Sequence, residues 1–197
     1  VLSMKKKELL FFSLLLVAGI LVIALMLPWW SLQGSSPDIE TLSTLYLIPL
    51  NLVSTTSTSS TISGDLSFFP EIFITIMTSI PILTCIVSLL AISVLYLQKT
   101  NKKRCQSLLL IGALGILLCS LVLFIGAMSA FTEVGVGSFI GDGLLDITVQ
   151  GQDAVVPVSC HWGPGVGFWL YIVSTLILKS SLTIIIYQKK KKRNGLL

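Results

Sequence analysis

The sequence predicts a membrane protein of the all-α class, a four-helix transmembrane bundle with a small extracellular antiparallel β-sheet built from both outer loops. Three observations lead there. Of the 197 residues, 54% are apolar and only 11% are charged, against roughly a quarter charged in soluble domains. Four apolar stretches are each long enough for a hydrocarbon core about 30 Å thick, which takes about 20 residues. Twelve of the thirteen Lys and Arg residues lie in three short runs that share one side of those stretches.

The N-terminal residues 1–8 carry Lys5, Lys6 and Lys7. Span 1 follows at 9–27, with Ser13 as its clearly polar residue. Three lysines before an apolar run resemble a secretory signal, but the run is too long for one and reads as an uncleaved anchor. Span 2 covers 72–97, span 3 covers 107–130 and span 4 covers 165–187. The turn at 98–106 holds Lys99, Lys102, Lys103 and Arg104, and the tail at 188–197 holds Lys189 to Lys192 and Arg193. Positive charge is retained in the cytoplasm during insertion, so both termini and this turn are expected there, in a multi-pass protein of the plasma membrane. Eight of the nine acids fall on the opposite face, and only Glu8 falls inside.

The outer loops cover 28–70 and 131–164. The first contains Thr41 to Ile48 and then a Thr-, Ser- and Val-rich run from Leu52 to Ile62, with a disordered linker as the alternative for 54–61. The second contains Leu145 to Val149, a Gln-Gly-Gln-Asp turn at 150–153 and Ala154 to Val158. Two β-prone runs around a Gly-containing turn predict a hairpin. Pro157 predicts that its second strand lies at an edge or a bulge. All four tryptophans (Trp29, Trp30, Trp162, Trp169) fall at the outer ends of spans 1 and 4, where amphipathic rings favour the headgroup level.

Span 1 closes on Ala24-Leu-Met-Leu-Pro28-Trp29-Trp30, similar to the Pro-x-Trp that ends the first helix of claudins. Span 4 opens on Gly163-Pro-Gly-Val-Gly-Phe-Trp-Leu-Tyr171, similar to their Gly- and aromatic-rich fourth helix. With four spans and a longer, β-prone first loop, the chain resembles the claudin and peripheral-myelin-protein superfamily. The resemblance covers the chain as topology but only a few residues as motif. The first loop has no cysteine, so the Gly-Leu-Trp and Cys-Cys signature of claudins is missing, and with it the sheet disulfide. Tetraspanins fit less well, for want of a Cys-Cys-Gly in the second loop. The resemblance implies one sheet from both loops over a left-handed bundle, with Pro28, Trp30, Trp162 and Trp169 as interfacial residues.

Lys179 is the one ionisable residue well inside a span, which marks it for function unless it snorkels to the interface. Pro81 falls mid-span, where it removes a backbone bond to Met77 and predicts a kink, with Thr78 and Ser79 placed to satisfy freed carbonyls. Gly112 and Gly115, with Cys119 nearby, predict close helix packing within the bundle, or otherwise between copies. Cys105, beside Lys102, Lys103 and Arg104, is a candidate for acylation. Cys160-His161 supplies one thiol and the only imidazole, short of the three or four ligands zinc needs. Asp142 and Asp146 lack the further oxygens of a Ca²⁺ site.

No nucleophile–base pair, phosphate loop or metal cluster is evident, so neither enzyme activity nor a cofactor is expected. Nucleic acid is excluded because the basic runs are short and flank apolar stretches. The expected partners are the lipid bilayer and other membrane proteins or further copies. The expected role is interaction, adhesion or scaffolding through the outer sheet. An accessory subunit of a membrane complex and a small oligomeric channel or transporter are the alternatives.

Overall fold

The computed structural model describes residues 2–37, 40–56, 59–64, 69–99, 103–129, 136, 139–148 and 155–193. Its elements follow the order α1 (Leu2–Met26), β1 (Trp30–Ser35), β2 (Glu40–Leu47), β3 (Leu50–Thr56), β4 (Ser59–Gly64), α2 (Glu71–Lys99), α3 (Lys103–Ala127), β5 (Gly141–Thr148), β6 (Val155–Pro164) and α4 (Val166–Arg193). The four helices are long and apolar enough to cross a membrane, over Glu8–Met26, Glu71–Leu97, Arg104–Ala127 and Val166–Tyr187. α3 begins at Lys103, before the expected span, and α4 carries the basic run on as helix to Arg193.

The chain folds as two compact units. One contains Val1–Ile23, Ile82–Leu121 and Leu170–Leu197. Its helices bury residues at heptad spacing: Thr84, Val87, Ala91 and Val94 on α2, and Leu110, Ala113, Leu117 and Ser120 on α3. Alternating steps of three and four residues keep one seam facing its neighbours, as in left-handed bundles. The opposite faces are apolar and exposed, with Leu89, Ile92, Leu118 and Leu176 among them. The seam also holds polar contacts: Thr84 and Tyr171 hydroxyls 3.3 Å apart, and Ser13 and Ser181 hydroxyls 3.0 Å apart.

The other unit contains Ala24–Pro81 and Val122–Trp169. Its sheet has six strands in the order β4-β3-β2-β1-β6-β5, every neighbouring pair antiparallel. The expected single run from Leu52 to Ile62 is instead two strands, β3 and β4, paired as a hairpin with a register shift between Ser54 and Thr56. β1 is a strand that composition does not predict, yet it joins the strands of the two loops, pairing with β2 on one side and β6 on the other. The expected turn at 150–153 lies outside the described residues, while β5 and β6 on either side of it pair from Gly141↔Trp162 to Thr148↔Val155.

Pro157 is tolerated for a local reason. β6 pairs with β1 only from Ser159 to Pro164, so at Pro157 its sole partner is Asp146 of β5. The missing amide proton therefore leaves no ladder bond unmade on the β1 side.

Alternation sorts the sheet into two faces. Trp30, Leu32 and Gly34 of β1 share a face with Val158, Cys160 and Trp162 of β6, and these six are buried. Gln33, Ser35, Ser159 and His161 point the other way and are exposed. Gly34 is required by a close approach. A methyl group there would come within 2.6 Å of Cys160 Sγ and 2.7 Å of Thr41 Cγ2.

Pro28 and Trp29 anchor the unit's remaining elements. The Trp29 amide donates to Leu45 O at 2.8 Å, while the amides of Gly165 and Gly167 donate to Trp29 O and Pro28 O at 2.9 and 2.8 Å. Gly167 permits this contact, since a Cβ there would lie 2.6 Å from Ala24 O and 2.7 Å from Leu27 O. The Trp29 ring packs edge-on against Phe124 and Phe168, with centroids 4.9 and 6.1 Å away.

Candidate interaction surface on the sheet

The exposed face of the sheet forms an open trough of about 660 Å³. Strand register builds it. Asp142 of β5 lies opposite His161 of β6, His161 opposite Gln33 of β1, Gln33 opposite Leu42 of β2, and Leu42 opposite Thr55 of β3. One row of side chains thus crosses five strands, with Ser35, Glu40 and Ser159 also in the lining one register step away. The Thr55 hydroxyl donates to Leu42 O at 3.2 Å, tying β3 to β2 within the row. Glu40 and Asp142 give the lining acidic character, and no Lys or Arg occurs between Glu8 and Gln98 or between Gln106 and Leu178.

Cys160 and His161 are neighbours in sequence but not in space. Strand alternation turns the thiol to the buried face beside Gly34 and the imidazole to the exposed one. Burial pushes the Cys160 thiol above its ordinary value, since removal from water disfavours the thiolate. The two groups therefore form neither a nucleophile–base pair nor a shared ligand set. Asp142 and Asp146 are both exposed on β5, but four residues of strand separate them by about 13 Å, too far to share one ion. Among the described residues no group of three His, Cys, Asp or Glu is arranged to hold a metal.

The aromatic residues occupy a different environment from the one expected. Trp29, Trp30 and Trp162 are packed inside the sheet unit, at 0, 1 and 5% exposure, and only Trp169 is open, at 54%. The Trp30 indole N–H donates to Phe139 O at 3.1 Å. Three of the four rings are therefore core residues rather than headgroup anchors.

The intramembrane candidates separate as clearly. Gly112, Gly115 and Cys119 are exposed, and a Cβ at either glycine would meet nothing within 4 Å. They stand two residues after the seam positions Leu110, Ala113 and Leu117, about 200° round the helix, so among the described residues they bring no helix close. The Thr78 hydroxyl donates to Ile74 and Thr75 carbonyls and Ser79 to that of Ile76, rather than to Met77 before Pro81. α2 runs through Pro81 as helix. Lys179 is exposed on α4, and Cys105 is exposed in the first turn of α3. No family model matches the chain, and no curated protein matches it.

Proposed function

We propose that this is a non-enzymatic, claudin-like tetraspan of the plasma membrane, with cytoplasmic termini, that binds other proteins through its extracellular sheet. One observation carries the reading: strands from both loops join into a single six-stranded sheet whose exposed face is a continuous acidic trough. A loop that merely connected spans would need no such layer. Orientation rests on the basic runs beside the spans and their absence from both loops. The family reading rests on the Pro28-Trp29-Trp30 junction with the Gly165–Gly167 segment. The non-enzymatic reading is supported by the separation of Cys160 from His161 across the sheet.

The test is purification from native membranes in mild detergent, comparing the chain with an Asp142→Lys, Glu40→Lys variant. The reading expects a protein recovered in fixed stoichiometry with the native trough and lost with the reversed one. Equal recovery with both chains would remove the trough from recognition. Labelling of Cys105 by an impermeant maleimide from outside intact cells would overturn the orientation.

A further inference from the structure

We infer that the outward face of α4, with the groove beside it, is a docking site for a single transmembrane helix of another protein that carries a buried carboxylate. The inference shares the membrane placement of the proposed function and is independent of the sheet as a recognition surface.

α4 places polar groups on its outward side. Leu176, Lys179, Ser180 and Thr183 are all exposed, and their i, i+3 and i, i+4 spacing makes them one contiguous patch. The Ser180 and Thr183 hydroxyls donate to the carbonyls of Leu176 and Lys179 at 2.9 and 3.0 Å, which leaves the ammonium as the patch's strong donor. Next to the patch, α1 and α4 leave an open groove of about 330 Å³ whose walls include Leu10, Ser13, Leu176 and Ser180. Leu176 and Ser180 belong to both features, so an occupant of the groove lies alongside Lys179.

Charge and depth choose the occupant. The acids of the four spans are Glu8 and Glu71, each the first residue of its span, and Lys179 forms no ion pair among the described residues. A second copy of this chain brings no acid to that depth, so self-association leaves the charge unanswered. Lys179 lies eight residues before Tyr187, the end of the span, roughly 12 Å at helical rise. Its stem shortens that distance but leaves the ammonium below the phosphate layer. An Asp or Glu on a neighbouring helix at the same depth meets it directly, and the groove receives the apolar side chains next to that acid.

The probes are synthetic Leu/Ala transmembrane helices with a central Asp, Asn or Leu, mixed with the full chain in zwitterionic vesicles and read by energy transfer. The Asp helix is expected to associate at least tenfold more strongly than the Leu helix. Lys179→Met removes that preference, and Lys179→Asp restores tenfold binding to a helix carrying Lys. Ser180→Trp, which fills the groove but keeps the charge, lowers association severalfold. Lys179 is exposed, so these variants are expected to fold, and melting of the reconstituted protein checks it. Equal binding of the Asp and Leu helices, or an Asp preference that survives Lys179→Met, overturns the inference. So does Lys179-dependent enrichment of anionic phospholipid, read in companion vesicles that contain it, without helix association. The Asp142→Lys, Glu40→Lys variant is expected to bind the Asp helix normally, so loss of the sheet function and loss of helix docking are separate outcomes.

Discussion

The indole N–H of Trp29 donates to the backbone carbonyl of Ala24 at 2.7 Å. Ala24 lies in the last turn of α1, where carbonyls have no partner within the helix. The side chain that follows the helix thus caps it, while its ring fills the space between Phe124 and Phe168. Trp29→Ala removes both contributions and is expected to destabilise the protein by about 3–5 kcal/mol. Trp29→Phe keeps most of the ring but leaves Ala24 O uncapped, for a loss of about 1–3 kcal/mol. Thermal unfolding in bicelles measures the order: a Trp29→Phe variant that melts with the native chain would show that the cap contributes nothing, and equal melting of the two variants that the ring packing contributes nothing.

Gly34 gives a second, sharper prediction. A methyl group there collides with Cys160 Sγ, Thr41 Cγ2 and Val158 Cγ1, all within 2.9 Å, so Gly34→Ala is expected to cost about 1–3 kcal/mol. Removing the nearest obstacle with Cys160→Ala should recover part of that loss, which a double-mutant cycle reads as coupling. Gly112→Ala is the control. It meets nothing within 4 Å and should leave stability within about 1 kcal/mol of the native chain.

The elements are legible in the sequence to different depths, and the reason lies in what each residue signals alone. Apolar length identifies four helices without any knowledge of their packing. The direction of a side chain around a helix depends on its neighbours, and so Gly112 and Gly115 suggest close packing where the heptad of Leu110, Ala113 and Leu117 turns them outward. In the sheet, β2, β5 and β6 are readable from β-branched runs. β1 is not, because Trp-Ser-Leu-Gln-Gly-Ser has the composition of a loop. Its alternation of Trp30, Leu32 and Gly34 against Ser31, Gln33 and Ser35 is the available signal. The trough depends on register between strands far apart in sequence, such as Gln33 with His161, which no local pattern encodes.

Cys160 should show a pH response of known sign. Burial raises its folded-state pKa above the ordinary 9.0, so the folded chain holds the thiol proton more tightly than the unfolded chain. The stability this contributes is fully present below pH about 9 and is lost as pH rises through the folded-state value. In a variant that keeps Cys160 alone, alkylation in the native state should be far slower than in detergent-denatured protein at neutral pH. It should accelerate only under alkaline conditions. The exposed Cys105, kept alone, should react readily at neutral pH. Equal rates for the two thiols would contradict the burial of Cys160 behind Gly34.

Trp169 is the one tryptophan free to report on the surroundings of the protein. At 54% exposure it stands apart from Trp29, Trp30 and Trp162, and it lies in the first turn of α4, close to the sheet end of that helix. The proposed membrane placement would put this ring at the level where aromatic side chains meet the headgroups. Quenching by lipids brominated near the headgroup should therefore act mainly on Trp169. Trp169→Phe is expected to remove most of the quenchable emission, with little effect on the melting temperature. Trp30→Ala should do the reverse. It leaves quenchable emission nearly unchanged but costs about 3–5 kcal/mol, because that ring is buried and bonded to Phe139 O. If quenching persists in Trp169→Phe, the three remaining rings face lipid, and the Pro28-Trp29-Trp30 junction is an ordinary aromatic anchor rather than the core of the sheet unit.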